Sequence, residues 1–232
     1  MFRMPLSAAL MLCSVTAFAD ASSPNPECAN IKNYAAAGDK AYKAKQYDKA
    51  RESYTQQVGW SESCQLSESA IATAYNNVAL TWVRQGQYLK AKAWLMINEK
   101  DAKSQYNLGL IKDKLTALPQ PTGPAGEYWL YAGKGMWNSY EVKAVKEEKY
   151  KVAFDGVYAG GNAMMYGPNI GGLEGGVAIK DNQGTYQQPD IGNEPGCAVS
   201  MNFTPASLQT SVKGDCGFGF NVRAEGDYVR VK

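Results

Sequence analysis

The strongest constraint on the fold is an abrupt change of composition at residues 117–129, ALPQPTGPAGEYW. Three prolines and two glycines fall within residues 119–126. The preceding sequence is rich in Ala, Lys and Gln, whereas most glycines and many Tyr and Val residues follow. Because Pro and Gly at this density interrupt regular structure, the pattern is typical of a linker between two domains. We predict a helical domain at 20–118, a Pro/Gly linker at 119–126 and a β-rich domain at 127–232.

The first half contains an internal repeat with an offset of 41 residues. Small and aromatic residues recur in the pairs Tyr34/Tyr75, Gly38/Ala79, Tyr47/Tyr88, Ala50/Ala91 and Tyr54/Leu95. Small residues let two helices approach closely where they cross. The pattern resembles the tetratricopeptide repeat over residues 31–118, with an alternative of ordinary Ala-rich helical hairpins. The family period is about 34 residues, which implies an insertion of about seven in VGWSESCQLSE. The segment DAKSQYNLGLIKDKL has no second helix and is expected to cap the stack.

The second half shows period-two alternation typical of β-strands. The predicted strands are EYWLYA, SYEVKAV, YKVAFDGVY, GVAIKD, CAVSMNF, LQTSVKG and DYVRVK. Turn residues separate these seven short segments, and no helical periodicity intervenes, so parallel βαβ units are not expected. The fold class is therefore α+β with two domains, helical hairpins followed by an antiparallel β-barrel or sandwich.

The first 19 residues have the features of a cleaved signal peptide. Arg3 precedes a short apolar run that ends in Ala17-Phe18-Ala19, a small-x-small cleavage pattern. The run is too short to span a bilayer, and no other segment is apolar enough. We therefore predict a periplasmic or secreted protein of a Gram-negative bacterium, with no membrane span.

Removal of the signal peptide leaves the four cysteines Cys28, Cys64, Cys197 and Cys216. An even number in an oxidising compartment favours two disulfides, with free buried thiols as the alternative. Three pairings are possible, and sequence alone does not choose between them. Proximity and the domain division favour Cys28–Cys64 and Cys197–Cys216.

Composition argues against several classes of function. The chain has no histidine, which removes the common Ser-His-Asp and Cys-His nucleophile systems and most zinc sites. Without Arg3, 23 basic residues face 22 acidic ones, and no basic cluster suggests nucleic-acid binding. We predict a protein that is not an enzyme, with no catalytic residues, no metal, no cofactor and no nucleic-acid partner.

Two groups of apolar residues are candidates for contact with a partner. The glycine-rich stretch at 158–176 is expected to be a long mobile loop that carries Met164, Met165 and Tyr166. The first two strands carry Trp129, Tyr131, Trp137 and Tyr140. Some of these four must be core, but at a barrel mouth they could stack on a sugar ring or a peptide.

The carboxyl-terminal pattern CAVSMNF…LQTSVKGDCGFGFNVRAEGDY also carries a resemblance. It is similar to the last segment of small β-barrel domains in secreted and periplasmic bacterial proteins, some of which inhibit lysozymes or protect the envelope against hydrolases. The similarity covers residues 150–232. Strand alternation predicts that Phe218 and Phe220 share one face and fill the core.

The resemblance implies a protein-recognition protein that binds and blocks a cell-wall hydrolase, as a lysozyme inhibitor or immunity protein does. Two alternatives stay open. The helical domain could be a tetratricopeptide-type scaffold for envelope protein assembly, or the chain could bind glycans or peptidoglycan fragments.

Overall fold

A computed structural model of the chain describes residues 25–190 and 196–232. The predicted signal peptide and its cleavage site lie outside the described residues. The described part comprises helices followed by a closed β-barrel, which confirms the α+β class with two domains.

Five helices precede the barrel. They are α1 (Pro26–Lys43), α2 (Tyr47–Ser63), α3 (Glu68–Arg84), α4 (Tyr88–Met96) and α5 (Ala102–Thr116). Polar side chains set three of the starts: those of Asn25, Ser67 and Asp101 accept hydrogen bonds from backbone N–H groups of the first turn. Each side chain satisfies donors that have no partner within the helix.

The 41-residue offset reappears in the helix boundaries, since α2 starts at Tyr47 and α4 at Tyr88. The inserted residues extend α2, which has 17 residues against 9 in α4. Close packing accounts for the small residues of the repeat. A Cβ on Gly38 would lie 2.4 Å from the ring of Tyr54, and Ala79 is fully buried. The close approach of α1 and α2 at Gly38 leaves no room for a larger side chain.

Eight antiparallel strands form the barrel. They are β1 (Gly126–Gly133), β2 (Met136–Lys146), β3 (Lys149–Tyr158), β4 (Asn169–Lys180), β5 (Gln183–Gln187), β6 (Ala198–Phe203), β7 (Ser207–Lys213) and β8 (Gly226–Arg230). A short helix, α6 (Ala163–Tyr166), lies between β3 and β4. Neighbours in sequence pair with each other, and β8 returns to β1, where Trp129 pairs with Val229. The β-domain is therefore a closed barrel and not a sandwich.

Tyrosine side chains dominate the interior of the barrel. Tyr128, Tyr140 and Tyr228 are fully buried, and each hydroxyl donates to a backbone carbonyl. Tyr140 and Tyr228 share the carbonyl of Ala224, at 3.0 and 3.1 Å. Burial raises the pKa of Tyr140 above its ordinary value. These bonds satisfy the polar end of each ring, which is the condition for burying tyrosine in a core.

The structure corrects two predictions for the middle of the barrel domain. Each of the seven predicted segments contributes to a strand, but a further strand, β5, lies in Gln183–Gln187. The expected mobile loop at 158–176 is wrong for its second half, because residues from Asn169 onward belong to β4. Gly171 and Gly172 lie there against neighbouring atoms, with Phe218 2.7 Å from a Cβ on Gly171. These glycines therefore permit close packing within a strand.

Each domain contains one disulfide. Cys28–Cys64 joins the start of α1 to the end of α2, and Cys197–Cys216 joins the start of β6 to the loop that follows β7. Residues 214–225 of this loop are outside the strands, so the expected alternation of the two phenylalanines is wrong. Phe218 packs against the barrel core, with its ring centroid 5.5 Å from that of Phe154, whereas Phe220 is exposed.

Candidate functional site

The outer face of the β1–β2 hairpin packs against the helical domain. Tyr128 and Leu130 point to the barrel interior, so the alternation of β1 places Trp129 and Tyr131 outside. Trp137, which pairs with Tyr131 across the hairpin, lies on the same face. The three rings meet aromatic residues of α3 and α4 edge to face: Trp82–Trp129 at 6.2 Å, Tyr75–Tyr131 at 5.9 Å and Trp94–Trp137 at 5.2 Å between ring centroids.

Glu62, near the end of α2, is the polar centre of this interface. Its carboxylate accepts hydrogen bonds from the hydroxyls of Tyr75 (2.8 Å) and Tyr131, and from the backbone N–H of Lys134 (2.6 Å). The Tyr131 hydroxyl also accepts from the N–H of Gly135 at 2.9 Å. Burial, followed by the negative charge of Glu62, raises the pKa of Tyr131 far above its ordinary value. One carboxylate thus binds the turn of the β1–β2 hairpin to the helical domain.

A cation lies between the aromatic rings at the edge of the same interface. The Lys90 ammonium is 5.1 Å from the ring centroid of Trp82 and 4.9 Å from that of Trp129. It also pairs with Glu127 at 2.9 Å, and Glu127 accepts from the indole N–H of Trp129 at 2.7 Å. These contacts satisfy both charges while the rings exclude water.

The four candidate aromatic residues of the first two strands therefore occupy internal positions. Tyr140 lies in the barrel core, and Trp129, Tyr131 and Trp137 lie between the domains. The sequence contained a signal for this arrangement, because YWLY at 128–131 has no polar residue at alternate positions. Such a strand is typical of a sheet covered on both faces. Sequence reasoning missed Glu62, which resembles any other acidic residue of a helix.

A cavity of about 530 Å³ adjoins this interface, between α4, the end of α5, the linker and strands β1 and β8. Most of its lining is apolar. The residues are Leu89, Lys92, Ala93, Met96, Ile97, Leu115, Leu118, Pro119, Gln120, Pro121, Trp129, Leu130, Tyr131, Trp137, Pro205, Ala206, Ser207, Asp227, Val229 and Arg230. Small-molecule sites in proteins are commonly apolar clefts of this size at domain interfaces.

A second candidate surface lies at the end of the barrel where β3 and β4 meet. We call it the apolar rim and define it by Tyr158, Met165, Tyr166, Ile170 and Phe220. Tyr166, Phe220 and Ile170 are 81%, 73% and 70% exposed. The Phe220 ring centroid lies 6.2 Å from that of Tyr158.

Backbone contacts hold the segments of the apolar rim together. The N–H of Gly219 donates to the carbonyl of Ile170 at 3.0 Å, and the Asn169 side chain donates to the carbonyl of Phe220 at 3.1 Å. Met164, also in α6, does not belong to the rim, because its side chain packs against Gly59 of α2. A Cβ added to Gly59 would lie only 2.5 Å from the Met164 sulfur. Of the three candidates in the glycine-rich stretch, Met165 and Tyr166 are therefore exposed and Met164 is an interdomain contact.

Within residues 25–190 and 196–232, no three His, Cys, Asp or Glu side chains are grouped so that they could hold a metal ion. None of the described helices combines the length and apolar character that a membrane span requires. No protein-family model, curated protein or solved structure matches the chain.

Proposed function

We propose that this chain is a non-enzymatic protein-recognition protein of an extracytoplasmic compartment, in which the apolar rim of the barrel binds a protein partner. The proposal depends on one observation, the exposure of Tyr166, Ile170 and Phe220 on adjoining segments. Large apolar side chains that are grouped on a surface are typical of protein interaction sites. The two disulfides are compatible with an oxidising compartment.

The apolar rim has the rigidity that a binding surface needs. The Cys197–Cys216 disulfide anchors the start of the loop that carries Phe220, and hydrogen bonds to Ile170 and Asn169 hold its middle at Gly219 and Phe220. Aromatic side chains on an ordered backbone lose little conformational freedom when a partner covers them. Buried aromatic anchors are also the residues that contribute most to typical protein interfaces.

The partner class we propose is a cell-wall hydrolase, such as a lysozyme or an effector toxin, whose activity the complex blocks. The resemblance of residues 150–232 to envelope-protection barrels supports this choice. In this proposal the tetratricopeptide-like helical domain supports the barrel, because it binds the β1–β2 hairpin through Glu62. Of the apolar rim, the side chain of Asn25 reaches the sulfur of Met165, at 3.7 Å, while Tyr166, Ile170 and Phe220 stay exposed.

Rim substitutions test the proposal. In the mature chain, Ile170→Ser with Phe220→Ser removes two exposed apolar groups, and Val145→Ser is a matched control on an equally exposed strand position. Lysozymes and periplasmic hydrolases would be assayed on purified peptidoglycan with each variant. We expect inhibition by the parent chain and the control, and at least tenfold weaker inhibition by the rim variant. Unchanged inhibition by the rim variant would refute the role of this surface.

A second candidate function assigns recognition to the helical domain as a scaffold for envelope assembly. The observation that favours it is a groove between α3 and α5, beside which Tyr106 and Leu110 are exposed one turn apart on α5. In a capture experiment, loss of partners on Tyr106→Ser with Leu110→Ser, but not on the rim substitutions, would favour the scaffold.

A further inference from the structure

The turn between β1 and β2, formed by Lys134 and Gly135, packs against the helical domain. The N–H of Lys134 donates to the Glu62 carboxylate at 2.6 Å. A Cβ on Gly135 would lie 2.9 Å from the side chain of Thr55 in α2. Both turn residues have positive φ, 53° and 78°, which a tight two-residue hairpin turn requires. The helical domain therefore determines where the Lys134 side chain begins.

The Lys134 ammonium group reaches the connection between β3 and α6. It donates to the carbonyls of Gly160 and Gly161, the latter at 2.9 Å. The Gly160 carbonyl also accepts, at 3.1 Å, from the N–H of Ala163, the first residue of α6. Because glycine has more conformational freedom than other residues, two consecutive glycines need outside contacts to keep one conformation. A cation that binds both carbonyls supplies such contacts.

The helical domain also contacts α6 directly. Met164 packs against Gly59 of α2, and the Asn25 side chain donates to the sulfur of Met165 at 3.7 Å. Tyr166, the last residue of α6, is 81% exposed. These two rim residues of α6, Met165 and Tyr166, therefore depend on the helical domain for their positions.

The other side of the apolar rim is held within the barrel. Ile170 belongs to β4, and its carbonyl accepts from the N–H of Gly219. The Asn169 side chain, also in β4, donates to the carbonyl of Phe220. Neither bond involves a residue of the helical domain. Loss of the Lys134 contacts should therefore change the α6 part of the rim and leave the Ile170 and Phe220 part in place.

We propose that Lys134 is a positioning residue of the apolar rim. Packing of the helical domain on the β1–β2 turn places its ammonium group so that Met165 and Tyr166 are held in the orientation that a partner meets. This inference rests on the proposed function of the rim, because it concerns the orientation of two of its binding residues. Partner binding then requires both domains, although only the barrel carries the contact surface.

Hydrogen–deuterium exchange of the mature chain tests the positioning without a partner. Lys134→Met removes the ammonium group and keeps the backbone N–H that binds Glu62. Lys134→Arg keeps a charged donor, and Lys180→Met removes a lysine that is exposed at the opposite end of the barrel. Four amides report on α6, because each donates to a carbonyl of residues 160–163: those of Ala163, Met165, Tyr166 and Gly167.

Exchange would be followed from milliseconds to hours by mass spectrometry of peptides that span 160–168. Lys134→Met should raise the exchange rate of the α6 amides at least fivefold and leave the peptides of β4 and β7 within twofold. Lys134→Arg should stay within threefold of the parent chain at α6, and Lys180→Met within twofold.

Three results would overturn the proposal. One is equal exchange at α6 in the parent chain and in Lys134→Met. Another is a rise of the same size across the whole barrel, because Lys134 would then contribute only to global stability. The third is exchange in Lys134→Arg as fast as in Lys134→Met, because the charged donor would then not be the group that holds α6.

Inhibition assays separate this proposal from the proposed function. With a hydrolase that the parent chain inhibits, Lys134→Met should weaken inhibition at least fivefold. In the Met165→Ser, Tyr166→Ser background it should have less than a twofold effect, because the side chains that it positions are absent. An undiminished effect in that background would overturn the positioning role. If the parent chain inhibits no hydrolase, the proposed function fails, while the exchange experiment still decides whether Lys134 positions α6.

Discussion

Replacing Glu62 by alanine is the most direct test of how the two domains are joined. The substitution removes the acceptor for three donors: the hydroxyls of Tyr75 and Tyr131 and the N–H of Lys134. A hydrogen bond to a charged group contributes about 1.5–3 kcal/mol to stability. Because Glu62 is only half buried and water can reach part of the site, we take the lower end for each bond and reduce the sum. We expect the free energy of unfolding to fall by about 3 kcal/mol.

Equilibrium unfolding in urea measures this loss, with tryptophan fluorescence reporting on the interface and far-ultraviolet circular dichroism on the helices. A loss of about 3 kcal/mol, with a slope of about 2–3 kcal/mol per molar, lowers the midpoint by about 1 M. Glu52→Ala is the matched control, because Glu52 is an exposed carboxylate on the same helix. In the Glu62→Ala background, the further change Tyr131→Phe should cost much less than it does alone. If Glu62→Ala costs no more than Glu52→Ala, the proposed role of the carboxylate is wrong.

Three further perturbations test the packing of each domain. Cys197→Ser with Cys216→Ser should lower the free energy of unfolding by about 3 kcal/mol from the loss of a closed loop, measured in urea against the oxidised parent chain. Gly38→Ala should destabilise the helical domain by about 1–3 kcal/mol through overpacking. Gly109→Ala places its new Cβ with no atom within 4 Å and should stabilise α5 by up to about 1 kcal/mol. Equal melting temperatures of the two variants would contradict both expectations. Burial raises the pKa of Tyr128 to about 12, so its contribution to stability is complete below the unfolded pKa of about 10 and is lost as the pH rises toward 12. Between pH 9 and 12 the parent chain also loses stability through its other buried tyrosines. The loss in Tyr128→Phe, followed by urea unfolding at each pH, should be about 2 kcal/mol smaller than in the parent chain.

The features predicted well from sequence depend on local chemistry. The 41-residue offset reflects which positions must be small at a helix crossing, and the first residues of α2 and α4 reproduce it. The favoured disulfide pairing is the one found. Alternation located strands, but it failed at β5, where Gln183–Gln187 has no run of apolar residues and pairs through its backbone.

The features that sequence could not give depend on contacts between distant segments. The sequence around Trp129 and Trp137 would look the same whether these rings faced a partner, a barrel mouth or a second domain. Only the packing of β1–β2 on α3 and α4 shows which surface they contact. Strand alternation predicts one shared face for Phe218 and Phe220, but residues 214–225 lie outside the strands. The chain is irregular there, and the Phe218 ring packs on Phe154 while the Phe220 ring is exposed beside Tyr158.

The pairing of β1 with β8 has a kinetic consequence. These strands are separated by nearly the whole length of the barrel domain, so the last pair to form joins the two most distant segments. Until it forms, β1 and β7 each present an unpaired edge, which can recruit strands from other chains. Helices α1–α5 make mainly local contacts and can form first, since local contacts favour fast folding. The preformed helical domain can then bind the β1–β2 hairpin through Glu62 and hold one side of the gap in place until β8 arrives.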